Sequence, residues 1–168
     1  MENNIENDIE NDKLISSDGI IKKSMIASMG AGLIPIPIVD IVALSGIQLK
    51  MLHSLTEVYE IPFSKNVGKS VISSLVGGIL PTYAAAGIGA SLAKLIPIGG
   101  TAVGMMTMSS FGGTSTYAIG QVFVKHFESG GTLLNFNPEK MQEYFLSAFK
   151  KGEEEVKQKT DESSTSSA

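Results

Sequence analysis

The two histidines could act in acid–base chemistry or as metal ligands, but their spacing does not join them into a catalytic or metal site. His53 and His126 lie far apart along the chain, and neither belongs to a zinc-binding pattern such as HExxH. Cysteine is absent, which excludes a thiol nucleophile, a disulfide framework and a Cys-based zinc site. We expect His53, which borders the apolar stripe of its helix, to be a surface or packing residue.

Two glycine-rich segments have part of the spacing of a nucleotide-binding loop. Residues 99–104 fit GxxxxG, but Met105 and Met106 stand where a phosphate-binding loop needs Lys followed by Ser or Thr. Residues 87–89 begin a dinucleotide-binding pattern, but Leu92 occupies its third glycine position. We interpret both segments as packing glycines, and the sequence predicts neither an enzyme nor a bound cofactor.

The charge of the chain argues against nucleic acid as a partner. All 13 basic residues are lysines, 17 residues are acidic, and the formal net charge is −4. Phosphate contacts in nucleic-acid binding depend on clustered positive charge, which this composition does not supply. The acidic start of the sequence also differs from a signal peptide, which opens with positive charge and a short apolar run. We therefore expect a protein that is not secreted and that does not bind nucleic acid.

Charged residues are strongly segregated along the chain. No acid occurs between Glu60 and Glu128, and the lysines in this window leave two uncharged runs, at 71–93 and 95–124. Each run exceeds the roughly 20 apolar residues that a helix needs to cross a bilayer. Because the runs contain many Gly, Ser and Thr, a helical hairpin buried inside a soluble bundle is the alternative. The interpretation that we favour is membrane insertion or tight membrane association.

Small residues and lysines support the membrane interpretation. Lysines lie before the first run, at Lys65 and Lys69, and after the second, at Lys125. By the positive-inside rule both termini would face the cytoplasm, with the turn at 95–100 and the neighbouring Lys94 on the far side. Small side chains also recur every four residues, which places them on one helix face and lets backbones approach closely. They are Ser70, Ser74 and Gly78, then Ala85, Gly89 and Ala93, then Gly112, Thr116 and Gly120.

The remaining segments predict helices and no strand. We therefore expect an all-α fold of four to six helices with a central Gly/Ala-rich apolar hairpin at 70–125. A single helical domain spans 19–151, between an acidic tail at 1–18 and a polar tail at 152–168 that are both expected to be disordered. Inside the domain the sequence predicts a short amphipathic helix at 19–33, a helix at 39–60 that ends at Ile61-Pro62, and a helix that starts at Asn137-Pro138-Glu139.

An apolar hinge precedes the helix at 39–60. Pro35 and Pro37 each restrict the residue before them, so this segment is not helix interior. Asp40 follows the hinge and is either a helix-start residue, where negative charge suits the helix dipole, or a polar contact that fixes the hinge angle. Gln48 lies in the apolar stripe of the same helix. It is either a buried amide that sets the helix register or a residue at the edge of the stripe, and the edge is slightly favoured.

Residues 34–61, IPIPIVDIVALSGIQLKMLHSLTEVYEI, resemble the domain-of-unknown-function 697 family, the YcjF-like domain that in bacteria is fused to, or encoded beside, Era-like GTPases. With the Gly/Ala-rich hairpin that follows, the resemblance covers about residues 20–127. It implies a helical, membrane-associated domain that accompanies a GTPase and has no established activity of its own. Because this sequence contains no GTP-binding motif, the GTPase would be a separate protein. The residues that carry the resemblance are Pro35, Pro37, Asp40, Gln48, Met51 and Tyr59.

The leading interpretation is a non-enzymatic bacterial protein of the cytoplasmic membrane. Its hairpin would be anchored in lipid, and helices at 40–60 and 137–151 would form a cytoplasmic docking surface for a partner such as a separate Era-like GTPase. The alternative is a self-assembling or pore-forming protein that packs the hairpin in a homo-oligomer. A carrier with a cavity for an apolar ligand is a third option. The candidates for structural or partner contacts are Pro35, Pro37, Asp40, Gln48, Gly78, Gly89, Gly112 and Gly120.

Overall fold

A computed structural model describes residues 2–33, 37–85 and 102–166, with side chains described in 5–33, 42–77 and 109–165. These residues contain no strand, which confirms the all-α fold of four to six helices. The described elements are α1 (Glu2–Ala31), α2 (Pro37–Val58), α3 (Lys65–Ala85), α4 (Ala102–Glu128), a 3₁₀ helix (Glu139–Met141) and α5 (Gln142–Ser166).

Helix α1 includes the segment that was expected to be a disordered acidic tail at 1–18. The structure instead has one continuous helix from Glu2 to Ala31, without a proline to interrupt it. Its second half is anchored in the core, and elongating an anchored helix is far easier than nucleating one. Asp18 and Lys22, one turn apart, add an ion pair with an O–N distance of 3.0 Å. The anchoring residues share one face of the helix and are Ser17, Ile21, Met25 and Ser28.

The turn between α2 and α3 ends the second helix close to the position that the sequence predicts. The amide of Ile61 donates to the carbonyl oxygen of Thr56 at 2.8 Å, and the amide of Glu60 donates to Glu57 at 3.2 Å. Glu60 has a left-handed backbone, with a φ of 57°. These bonds form a Schellman motif, which terminates a helix, and Pro62 then prevents its continuation.

Helix α4 contains most of the second apolar run and lies at the centre of the packing. Residues 112–120 are all buried, and α1, α2 and α5 pack around them. The apolar side chains of this run are therefore covered, within the described residues, by the protein's own helices. The largest fully buried side chains on α4 are Tyr117 and Phe123, and they share one cluster with Leu52 and Leu55 of α2 and Phe145 of α5.

None of the helices in the described ranges combines the length and the apolar content that crossing a bilayer requires. The first apolar run is described as far as Ala85, where α3 ends, and the second is described from Ala102. The turn predicted at 95–100 and the neighbouring Lys94 lie outside the described residues.

The 3₁₀ helix that leads into α5 begins at the cap that the sequence predicts, and α5 extends further than expected. The side-chain oxygen of Asn137 accepts a hydrogen bond from the amide of Lys140 at 3.2 Å, which is the role of an N-cap asparagine. The helix then continues to Ser166, although a disordered tail was expected at 152–168. Gly152 and Val156 are buried, and both lie against α4. An isolated glycine and valine create no apolar periodicity, so the sequence pattern did not reveal this contact.

Candidate functional site

Three buried polar side chains connect α1, α2 and α4. The hydroxyl of Ser28 lies 2.8 Å from Oγ1 of Thr116, and Nε2 of Gln48 donates to the same oxygen at 3.3 Å. A buried polar group left without a partner costs about 1–3 kcal/mol, so these bonds favour one register of the three helices. Gln48 is therefore the buried amide of the two alternatives, and the edge position is wrong because α4 covers this side of α2.

Gly112 and Gly120 lie along α4 on the face of Thr116 and allow α1 to approach closely. A Cβ atom at Gly112 would lie 3.1 Å from the backbone oxygen of Ser28, and one at Gly120 would lie 2.6 Å from Cγ1 of Ile21. Both distances are shorter than an ordinary carbon contact of about 3.5–4.0 Å. The structure thus brings three of the predicted residues, the two glycines and Gln48, to the interfaces of α4 with α1 and α2.

The other predicted residues are described in part. Pro37 is the first residue of α2, a position that suits proline, and Asp40 lies in the first turn of that helix. Gly78 belongs to α3. Pro35 and Gly89 lie outside the described residues. The hinge role of the prolines and the contact role of Asp40 stay predictions.

A groove with basic residues along it separates the exposed sides of α2 and α3, and its volume is about 570 Å³. Lys50 on α2 and Lys65 and Lys69 on α3 supply its positive charge, and none of the described side chains that line it is acidic. Leu49 and Phe63 supply apolar surface. We call this feature the basic groove.

Close packing at Gly68 shapes the basic groove. A Cβ atom at Gly68 would lie 2.9 Å from Cδ1 of Leu49 and 3.2 Å from Cε2 of Phe63, so only a glycine lets α3 approach α2 this closely without a shift. His53 packs edge-on against Phe63, with ring centroids 4.5 Å apart. The prediction that His53 is a surface or packing residue is confirmed, because the residue is exposed and packs against Phe63.

The basic groove is not apparent from the sequence. Lys65 and Lys69 were expected only as flanks of an apolar run, and no pattern distinguishes Lys50. The available signal was the Ile61-Pro62 helix stop, because a tight turn there folds α3 back along α2. Only the packing of the two helices shows that these lysines share one groove.

The arrangement can bind an anion, but the described residues do not form a metal site. No three His, Asp or Glu side chains in the described ranges are placed to hold a metal ion. His126 is engaged in the turn after α4, where its Nε2 lies 2.9 Å from the carbonyl oxygen of Thr132 and 3.1 Å from Oδ1 of Asn135. Its contacts are those of a residue that ties this turn to the helix.

The hydroxyl groups of Ser17 and Tyr59 are buried between α1 and the end of α2. Neither has a hydrogen-bond partner among the described residues. Burial raises the pKa of Tyr59. The ammonium group of Lys13 lies 6.0 Å from the centroid of the Tyr59 ring, at the outer limit of a cation–π contact. Tyr59 is partly buried and packs against the hydrophobic core, so we interpret it as a packing residue.

Comparison with known proteins supports the relationship expected from residues 34–61. Residues 1–154 match the model of the family described as Domain of unknown function (DUF697). Over 136 residues the chain is 41% identical to Magnetosome membrane protein 22 of Magnetospirillum gryphiswaldense, an alignment that covers 81% of this chain and 70% of that protein. No solved structure matches the chain. The chain belongs to the domain-of-unknown-function 697 family.

Proposed function

We propose that this chain is a non-enzymatic, membrane-associated helical protein that holds a partner at a bacterial membrane. The observation that carries the proposal is the 41% identity, over 136 residues, to a protein named for the magnetosome membrane. The acid-free window between Glu60 and Glu128 adds a sequence argument, because it lets that part of the chain approach lipid without burying carboxylates.

Fractionation of cells that express the full chain tests the membrane part of this proposal. We expect the protein in the membrane pellet, and we expect it to stay there after a wash with concentrated salt. Resistance to alkaline carbonate would support an inserted anchor, whereas release by salt alone would indicate attachment through charge. A protein found only in the aqueous supernatant would contradict membrane association.

The finer proposal concerns topology and partner. The apolar hairpin anchors the chain in lipid with both termini in the cytoplasm, which requires α4 to leave the helices that cover its residues 112–120 in the described structure. In this proposal α2 and α5 form a docking surface for a separate Era-like GTPase. The resemblance of residues 34–61 supports such a partner, and this sequence contains no GTP-binding motif of its own. Within this proposal, the partner acts on the hinge at Pro35 and Pro37 and reorients the hairpin.

Nucleotide-dependent capture tests the partner. The immobilised full chain is incubated with detergent extract from its own bacterium, together with either GDP or a non-hydrolysable GTP analogue. A GTPase retained with one nucleotide and released with the other would support the proposal. Retention of the same proteins with both nucleotides would contradict it. A variant with Pro35→Ala and Pro37→Ala should lose this dependence if the hinge transmits the change.

Self-assembly into a homo-oligomer, through helix faces that carry glycine at four-residue spacing, is the alternative function. The face that contains Gly112 and Gly120 packs against α1 of the same chain, so an oligomer would have to use another surface. This observation favours partner docking over self-assembly. A particle several times the mass of the chain, measured by light scattering in detergent, would reverse that preference.

A further inference from the structure

We propose that the basic groove between α2 and α3 binds the phosphate headgroup of an anionic membrane lipid. This inference rests on the proposed membrane association and adds the class of lipid that the protein selects. It concerns Lys50, Lys65 and Lys69, which line one groove that no acid lines among the side chains the structure describes.

The charges in the groove are available to a ligand. None of the three lysines forms an ion pair with a carboxylate in the part of the chain that the structure describes, and all three side chains are exposed. Lysine ammonium groups bind phosphate as point charges, and several around one groove increase the local attraction for an anion. The groove therefore offers three unpaired positive charges to an anionic group such as a phosphate.

The apolar lining of the groove suits an amphiphile better than a free ion. Leu49 and Phe63 line it beside the lysines, and Val42 lies at the same groove with 68% of its surface exposed. The volume of about 570 Å³ falls within the range of roughly 300–1,000 Å³ that is typical of small-molecule sites. A lipid places a phosphate directly beside glycerol and acyl carbons, so one molecule can contact both kinds of surface.

The position of the groove in the chain also points to a membrane lipid. Lys65 and Lys69 directly precede the uncharged run that begins at residue 71, so a membrane that contacts that run lies close to the groove. The whole chain carries a net charge of −4 and has no general attraction for an anionic bilayer. By contrast, the groove between α1 and the end of α2 is lined by Glu6, Glu10 and Glu128. Attraction to anionic lipid must therefore come from a local cluster such as the basic groove.

Vesicle flotation of the full chain tests this proposal. The protein is floated with phosphatidylcholine vesicles and with mixed phosphatidylcholine–phosphatidylglycerol vesicles. The test variant combines Lys50→Gln, Lys65→Gln and Lys69→Gln. The matched control combines Lys150→Gln, Lys151→Gln and Lys157→Gln, which removes the same charge from exposed positions on α5. Circular dichroism checks that all three proteins keep their helical content.

We expect the natural chain to bind the anionic vesicles about tenfold or more tightly than the neutral ones, because each lysine near an anionic surface contributes roughly fivefold. The groove variant should lose that preference, the control should keep it, and added salt should weaken it. Equal binding of the natural chain to both vesicles would overturn the lipid proposal and leave membrane association standing. No binding to either vesicle would overturn both.

Two further outcomes would also overturn the lipid assignment. If the α5 control loses as much binding as the groove variant, the preference comes from overall charge and not from the groove. If free glycerol phosphate raises the melting temperature of the natural chain but not of the groove variant, while the vesicles show no anionic preference, the groove takes a soluble phosphate.

Discussion

The hydroxyl oxygens of Ser28 and Thr116 lie 2.8 Å apart in a fully buried position, although the two residues are 88 positions apart in the sequence. This contact fixes the rotation of α4 about its axis, so that Gly112 and Gly120 face α1. Gln48 donates to the same oxygen of Thr116 and adds α2 to the arrangement. One threonine therefore sets the relative register of three helices.

Replacing Thr116 by valine should destabilise the protein. The substitution keeps the shape of the side chain but removes the oxygen shared by Ser28 and Gln48. Leaving those buried groups without a partner should lower the free energy of unfolding by about 1–3 kcal/mol. Urea denaturation followed by circular dichroism measures the change. A double variant with Ser28→Ala should recover part of the loss, and a loss that is fully additive would show that the two hydroxyls are not coupled.

Replacing Ser17 by alanine should not destabilise the protein. The Ser17 hydroxyl is buried and lacks a hydrogen-bond partner among the described residues, so its removal leaves no donor or acceptor stranded. We expect the free energy of unfolding to stay constant or to rise by up to about 1 kcal/mol. The same urea titration tests this, with Ser28→Ala as the matched control on α1. A clear destabilisation by Ser17→Ala would show that the hydroxyl bonds to Tyr59 in solution.

The sequence predicts the features of this fold that depend on local chemistry. The stop at Ile61-Pro62 and the cap at Asn137 were both predictable, because turn and cap geometry involve residues a few positions apart. The burial of Gln48 was not predictable, because it depends on which helix covers that side of α2. The basic groove was not predictable for the same reason, since Lys50 and Lys69 line one groove only because two helices pack together.

Long apolar runs and polar ends were harder to interpret from sequence. An uncharged run such as 95–124 has the same pattern whether lipid or protein covers it, and in the structure Tyr117 and Phe123 of this run are covered by neighbouring helices. The helical extension after Gly152 was missed because composition alone suggested a solvated segment, whereas Val156 alone reaches the core.

Replacing Gly120 by alanine should destabilise the protein, although alanine has a higher helix propensity than glycine. The added Cβ would lie 2.6 Å from Cγ1 of Ile21, and a β-branched side chain in a close-packed interface has little room to move. We expect a loss of about 1–3 kcal/mol in the free energy of unfolding. Gly77→Ala is the control, because its Cβ would meet nothing within 4 Å; it should be neutral or stabilise by up to about 1 kcal/mol.

A double-variant cycle identifies the cause at Gly120. Ile21→Ala removes the atoms that the new Cβ would meet, so Gly120→Ala should be much less harmful in that background than in the natural chain. The same loss in both backgrounds would contradict a steric origin. Melting curves of the four proteins under one set of conditions provide the comparison.

Truncation should distinguish the two ends of the chain. Removing residues 153–168 deletes Val156, which is 3% exposed and packs on α4 beside Gly113. Burying a valine side chain contributes about 1.5–3 kcal/mol, so this truncation should lower the free energy of unfolding by at least that amount. Removing residues 2–8 takes away Ile5, which is 60% exposed, and should change the free energy of unfolding by less than about 0.5 kcal/mol.

Val156→Ala in the full chain separates the effect of the lost contact from the effect of the lost helix length. If the C-terminal truncation melts at the same temperature as the full chain, the helix beyond Gly152 adds nothing to the core.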